Sequence, residues 1–330
     1  MNMFFKKAAK SKSELRYDVV NKDWVVVAEG RGKRPEDFKK KKIEEAGDNM
    51  PCVFCDYFTQ PKFLDKNLAV VPNRFPAFFP QKDTGLKTES ALFKKIPSTG
   101  FHEVVVFNDH SKQLTDFSQS EWEELLGIYQ QRYIALAKEK FVSYVSVFHN
   151  HGKMAGASLI HPHSQIIAIP FFDTNLERSI SSTKEFFREK GQCLFCAINR
   201  AEKLAQTRIV FENSNFLATC PFASKVNFEV VISPKNHLPY FEKITKEEKS
   251  DLAQAFSEVL VRIGKGLDFP DYNFYLATSP CDDKEYPFFH WHFVIMPRIS
   301  IWAGFELGVG IEIITMPPEK AAEYLKKIKI

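Results

Sequence analysis

At 330 residues, with 44% hydrophobic and 26% charged side chains, the chain has the composition of a soluble globular protein and the length for two cores of ordinary size. A formal charge of +4 suits a small anionic substrate but is too weak and dispersed for a nucleic-acid-binding face, and no apolar run is long enough to cross a bilayer. Met1 to Ser13 has Phe4 and Phe5 followed at once by Lys6 and Lys7, without the apolar core of a secretory signal, so the expected compartment is the cytoplasm. In that reducing compartment six cysteines do not form a disulfide framework, and the two Cys-x-x-Cys pairs among them point to metal.

In chain order, Leu15 to Tyr17 and Trp24 to Val27 read as a strand pair joined at Asn21-Lys22-Asp23, followed by the basic loop Arg31-Gly32-Lys33-Arg34-Pro35 and a polar, flexible stretch from Glu36 to Asn49. Cys52-Val53-Phe54-Cys55 comes next, then a strand at Leu68 to Val71 and the loop Asn73-Arg74-Phe75-Pro76-Ala77. Glu103 to Phe107 is a strand ending at Asn108-Asp109-His110, and Ser118 or Ser120 caps a helix that buries Leu125, Leu126 and Tyr129. Tyr144 to Phe148 is the strand that leads into Asn150 to Gln165.

The second half repeats this order. Cys193-Leu194-Phe195-Cys196 echoes the first cysteine pair, and the strand Phe228 to Ile232 with His237 echoes His102 to Val106 with His110. Thr245 with Glu248 opens a helix with Leu252, Phe256, Val259 and Leu260 on its apolar side. Asn273 to Ala277 is a strand, and Phe289-His290-Trp291-His292-Phe293 echoes a two-histidine motif of the first half. The chain reads as a tandem duplication over residues 1–178 and 179–330. Strands on either side of one helix in each half argue for antiparallel sheets with the helices on one side, an α+β class.

Zinc takes four thiolate or imidazole ligands in a tetrahedron. Cys52, Cys55, His110 and His161 form one such set and Cys193, Cys196, His237 and His290 the other. Neither cysteine pair is expected to open the kind of helix that lowers a thiol pKa for redox chemistry. With all four positions filled by protein, both zinc ions are expected to be structural, leaving His163 and His292 free. His292, between Trp291 and Phe293, reads as a packed relic of the duplication.

Four of the nine histidines fall between His149 and His163. At strand spacing His161 and His163 point to one face, so one can hold a structural group while the other meets a substrate. The small residues Gly156, Ala157 and Ser158 ahead of them let a phosphate approach the backbone.

Asn150 to Gln165 matches Asn-x-Gly-x-x-x-Gly-x-Ser-x-x-His-Pro-His-x-Gln at every fixed position. On this motif and on the order of the others, the chain resembles the galactose-1-phosphate uridylyltransferase family of the histidine-triad superfamily from about Leu15 to Ile330. The resemblance implies two histidine-triad-like domains, each an antiparallel half-barrel sheet with helices, and an active site in the first. It implies His163 as nucleophile, Ser158, Gln165 and Asn150 as contacts to the phosphoryl group and nucleotide, and Gly156 as part of that loop. It further implies Arg31 and Arg34 reaching the neighbouring subunit's substrate, Asn73 and Phe75 at the nucleoside, Glu312 at the hexose hydroxyls, and a homodimer.

The implied reaction exchanges UMP between UDP-glucose and galactose 1-phosphate by a ping-pong route through a uridylyl-histidine. A nucleotide sugar and a hexose 1-phosphate would be its partners, with no nucleic acid or membrane. There are departures: Ser164 replaces a frequent glycine, and the second cysteine pair stands where the best-known members use histidines and a carboxylate. Ile311 and Pro318 stand where those members place polar hexose contacts. A sister branch, the ADP-glucose phosphorylases, shares the fold and the covalent histidine, and is the alternative reading.

Overall fold

The computed structural model describes residues 13–31, 52–55, 67–81, 87–88 and 92–330. Its strands are β1 (Ser13–Asp18), β2 (Asp23–Ala28), β3 (Leu68–Pro72), β4 (Lys87–Thr88), β5 (Lys94–Lys95), β6 (Phe101–Phe107), β7 (Tyr144–His151) and β8 (His163–Ile169), then β9 (Ile209–Glu212), β10 (Phe216–Thr219), β11 (Val230–Pro234), β12 (Tyr272–Ala277), β13 (His292–Pro297) and β14 (Ile313–Ile314). The α-helices are α1 (Gln119–Leu136), α2 (Thr174–Lys190), α3 (Leu194–Ala205), α4 (Lys246–Leu267), α5 (Gly304–Val309) and α6 (Pro318–Lys327).

Nine strands form one sheet in the order β3-β6-β8-β7-β12-β13-β11-β10-β9, with every neighbouring pair antiparallel. Its seam is the pairing of β7 with β12, which sets Tyr272 opposite His151 and Phe274 opposite His149. Outward from the seam, β8, β6 and β3 on one side are matched by β13, β11 and β10 on the other. This palindromic order is the tandem duplication in three dimensions. The α+β class holds.

Alternation along each strand divides the sheet into two faces. Val145, Val147, Ile166, Ala168, Phe274, Phe293 and Ile295 turn to one face and join the main core with α1 and α4. Those helices are start-capped alike. The Ser118 hydroxyl accepts from Glu121 N while the Glu121 carboxylate accepts from Ser118 N, and Thr245 and Glu248 do the same. Trp122 of α1 stacks on Phe256 of α4 at 4.7 Å. Both are fully buried, and burying a side chain of that size stabilises by about 1.5–3 kcal/mol, more than a cap contributes.

The expectation that the helices lie on one side is corrected. Asn199 of α3 bonds Ser233 Oγ and the Pro234 carbonyl, and Phe195 lies 4.8 Å from the ring of His292. Ser233 and His292 alternate with residues of the main core, so α3 covers the opposite face of the second half. Its apolar side meets α2 and the segment Tyr286 to Phe289 in a separate small core. The corresponding face of the first half carries the candidate site.

The N-terminal hairpin β1–β2 takes β14 as a parallel third strand. A bidentate pair from Arg16 to Glu319 on α6, at 2.9 and 3.0 Å, ties this sheet to the second half. No helix among the described residues is long and apolar enough to cross a membrane.

Candidate active site and metal centres

The segment between β7 and β8 is braced by the other half of the molecule. Gly152 has φ +81, and a Cβ there would stand 2.3 Å from the Asp271 carboxylate, so glycine is required both by conformation and by space. Asp271, in turn, accepts from Met154 N at 2.6 Å. Asn273 of β12 donates to the Ala155 carbonyl and to Asn150 Oδ1, each at 2.8 Å. Gly156, at φ +82, ends the turn with open space where a side chain would be. Ser158 follows, exposed.

The chain then enters β8 at His163 rather than at His161, which lies two residues before it. Both rings still face Phe54, at centroid distances of 5.7 Å for His161 and 5.1 Å for His163. The shared face expected from strand spacing is present. His163 Nδ1 lies 2.9 Å from the His161 carbonyl. A carbonyl only accepts, so Nδ1 carries the proton and Nε2 keeps its lone pair. Burial lowers the pKa of His163 below its ordinary value, against the opposing hydrogen bond to that carbonyl. The neutral ring thus keeps a lone pair on Nε2.

Gln165 shares the face of His163, and its Oε1 lies 2.7 Å from His102 Nε2. His102 Nδ1 accepts from Ala77 N at 3.2 Å. Asn73 N donates to the His102 carbonyl at 2.8 Å, and the Asn73 side chain accepts from Phe75 N at 2.9 Å. The loop predicted to meet a nucleoside is thus tied to β6 and through it to Gln165. Phe75 itself is 83% exposed, with the Arg74 guanidinium 5.7 Å from the centre of its ring.

On the reverse side of β8, Ser164 bonds Tyr129 OH at 2.5 Å and His149 Nδ1 at 3.1 Å. His149 stacks on Phe274, and His151 on Tyr272. Two of the four clustered histidines therefore belong to the seam and its packing.

The sequence reading passes over His102, Asn273 and Asp271. The alternation of His102 with Val104 and Val106 signals their common face, but its link to Gln165 depends on the β6–β8 register. Arg31 ends a short 3-10 helix, exposed. Arg34 lies outside the described residues, as does the stretch from Glu36 to Asn49. Glu312 has Lys225, Asp23 and Asp18 as its charged neighbours, and burial raises its pKa. Its Oε2 is buried without a hydrogen-bond partner, and no described contact joins it to His163.

Two tetrads could bind metal ions: Cys52, Cys55, His110 and His161, and Cys193, Cys196, His237 and His290. Cys52 Sγ and Cys55 Sγ lie 3.4 and 3.6 Å from His161 Nδ1, and Cys55 Sγ lies 3.3 Å from His110 Nδ1. In the second tetrad Cys196 Sγ lies 3.5 Å from both His237 Nδ1 and His290 Nδ1. Tetrahedral arms of zinc–thiolate and zinc–imidazole length give sulfur–nitrogen edges of about 3.5 Å. His161, His237 and His290 each place Nε2 against a carbonyl, of Phe107, Pro287 and Pro234. Those bonds leave each Nδ1 lone pair directed at the cysteines of its own tetrad. The donor sets fit a tetrahedral metal.

One expectation about the thiols is overturned. Cys193 is the N-cap of α3, so this pair does open a helix, whose N-terminal N–H groups favour a thiolate. The Cys193 thiol is pushed down to about 4, chiefly by its hydrogen bond with Cys196 and also by His290. With two imidazoles beside it, the lowered thiol suits ligation of a metal.

His292 copies His163 in one respect, with Nδ1 3.1 Å from the His290 carbonyl. Val294 stands two residues on, where the first half has Gln165. It has the ring without the carboxamide.

The profile described as galactose-1-phosphate uridyl transferase, N-terminal domain, matches residues 3–172, and that for the C-terminal domain of the same family matches residues 179–328. The chain is 32% identical over 333 residues to the ADP-glucose phosphorylase of Arabidopsis thaliana, covering 96% of this chain and 93% of that protein. It is 31% identical over 328 residues to the galactose-1-phosphate uridylyltransferase of Thermotoga maritima, covering 96% and 99%. A crystal structure of an Arabidopsis thaliana ADP-glucose phosphorylase with bound ADP-glucose is similar with a TM-score of 0.82 at 29% identity, covering 97% of this chain and 100% of that one.

Proposed function

The chain belongs to the galactose-1-phosphate uridylyltransferase family, and from that premise we propose that it exchanges UMP between UDP-glucose and galactose 1-phosphate through a uridylyl group on His163. The observation that carries this reading is the His163 ring, whose Nδ1–H is held by the His161 carbonyl at 2.9 Å. In the first step Nε2 attacks the phosphorus next to the nucleoside. A P–N bond forms, the P–O bond to the second phosphate breaks, and glucose 1-phosphate leaves with that electron pair. The ring becomes an imidazolium, and the His161 carbonyl stabilises its charge through Nδ1–H. In the second step a phosphate oxygen of galactose 1-phosphate attacks the same phosphorus, and the P–N pair returns to the ring. The side-chain amides of Gln165 and Asn150, the hydroxyl of Ser158 and the turn at Gly156 bear on the phosphoryl oxygens without adding charge. Asn73 and Phe75 hold the nucleoside, and Arg31 and Arg34 reach the substrate of the partner subunit of a homodimer.

Each tetrad holds one zinc ion, which supplies a structural cross-link. The chain divides at 178/179 into a catalytic and a degenerate half. Glu312, with a carboxylate oxygen that has no partner, is the hexose contact.

A second reading is ADP-glucose phosphorolysis, with inorganic phosphate as acceptor in place of a hexose phosphate. The similarity to the Arabidopsis phosphorylase over 96% of the chain favours it, as do Ile311 and Pro318, which offer no polar group to a hexose. Intact-mass measurement after mixing with UDP-glucose or ADP-glucose separates the two. The first reading expects a uridylyl increment discharged by galactose 1-phosphate. An adenylyl increment discharged by inorganic phosphate alone would replace it with the second, and no increment from either donor would overturn both.

A further inference from the structure

Two carboxamides flank His163 on the open face of the sheet, and in each the oxygen is capped by a residue to which the sequence motif assigns no role. For Gln165 the cap is His102. The Ala77 backbone N–H can only donate, so the His102 Nδ1 it meets at 3.2 Å is the unprotonated nitrogen. In a neutral ring Nε2 then carries the proton and donates to Gln165, which presents its oxygen at 2.7 Å, the shorter of two contacts at that nitrogen; the Asn73 NH2, its own oxygen held by Phe75 N, lies 3.1 Å from the same atom. For Asn150 the cap is Asn273. The Ala155 carbonyl can only accept, so the Asn273 group 2.8 Å from it is the NH2. The other hydrogen of that NH2 goes to Asn150 at 2.8 Å, which must likewise present its oxygen. The Asn150 assignment follows from a partner whose role is fixed, and the Gln165 assignment from the Ala77 N–H together with the shorter of the two contacts at His102 Nε2.

The consequence is chemical. Each capped carboxamide has only its NH2 left, and both lie on strands that neighbour each other beside His163, with Phe148 opposite Gln165 and His149 opposite Ser164 in the register. We propose that His102 and Asn273 are positioning residues that lock Gln165 and Asn150 in the donor-outward orientation, making a neutral two-donor cradle for the phosphoryl oxygens that gather charge as His163 attacks. Without the caps either amide can rotate and present an oxygen to a phosphate, which repels it. Asn273 comes from the half that lacks a complete site of its own, so the degenerate half contributes to the chemistry of the first. His102 also holds the loop of Asn73 and Phe75, through its carbonyl to Asn73 N and its ring to Ala77 N and the Asn73 amide, so seating a nucleoside and orienting Gln165 share one residue. This inference rests on His163 being the nucleophile.

The test is a pair of double-mutant cycles read by single-turnover nucleotidylation of His163 from UDP-glucose or ADP-glucose, whichever charges the wild type. His102→Ala is expected to slow the step about 10- to 100-fold in the wild-type background. At saturating donor, where the loop's share in binding no longer shows, it is expected to change the rate in Gln165→Ala by less than about twofold, because the group it orients is gone. Asn273→Ala against Asn150→Ala is expected to behave the same way and serves where a His102 variant does not fold, as judged by metal content and thermal unfolding. A merely structural cap would slow both backgrounds by the same factor, and multiplicative losses in both cycles would overturn the proposal. A wild type that forms no adduct with either donor would instead overturn the function on which it rests.

Discussion

At the scale of single residues, Ser164 shows how the reverse side of β8 is specified. The family resemblance puts a frequent glycine there, which makes serine read as a mild departure. In the structure its hydroxyl is the meeting point of Tyr129 OH at 2.5 Å and His149 Nδ1 at 3.1 Å, and all three residues are buried. Burial holds the His149 pKa well below its ordinary value, so the ring is neutral and needs this partner as a hydrogen-bonding group and not as a counter-charge. Ser164→Gly would strand two polar groups in the core. The cost of leaving one such group unsatisfied is about 1–3 kcal/mol, and glycine in a strand adds backbone entropy to that. Urea unfolding is expected to show a loss of at least that order, and a variant as stable as wild type would show that the trio contributes nothing.

At the scale of elements, each Cys/His tetrad brings a cysteine turn to the ends of two strands, where a metal ion would fasten them. Cys52 and Cys55 meet His110, just beyond β6, and His161, just before β8, while Cys193 and Cys196 meet His237 beyond β11 and His290 before β13. The two sites differ in what hangs on them. His161 supplies the carbonyl that holds the His163 ring, so a metal at the first tetrad would fix the neighbour of the proposed nucleophile. A metal at the second tetrad would anchor α3 against the face that carries Ser233 and His292, away from His163. Metal analysis is expected to find two zinc ions per chain. Cys193→Ser should lower this to one with donor binding kept, and Cys52→Ser should lower it to one with nucleotidylation lost. Full zinc content in Cys193→Ser would show that the second tetrad is not a zinc site.

At the scale of the whole molecule, the duplication was legible because ligand types recur in one order, and the two-histidine motif because its chemistry is local. What could not be read depends on contacts across long separations. His102 acquires its role only when β6 pairs with β8, and Asn273 only when β12 pairs with β7 across the seam. Asp271 explains Gly152 only once both are folded together. Cys193 escaped as a helix start because capping patterns are recognised by serine, threonine, aspartate and asparagine, which accept from the backbone more strongly than a thiol does. The helix on the second face was missed for a related reason: α3 is amphipathic, and periodicity says that a helix has a buried side without saying which face of the sheet it meets.

All of these features converge on one atom, Nε2 of His163, and peptide mapping after brief reaction with the donor tests it most directly. The nucleotidyl group is expected on the peptide containing His163 and absent from a His163→Asn protein that retains its zinc. An adduct that persists in His163→Asn would contradict the account, and labelling at His292 would move the active site to the second half.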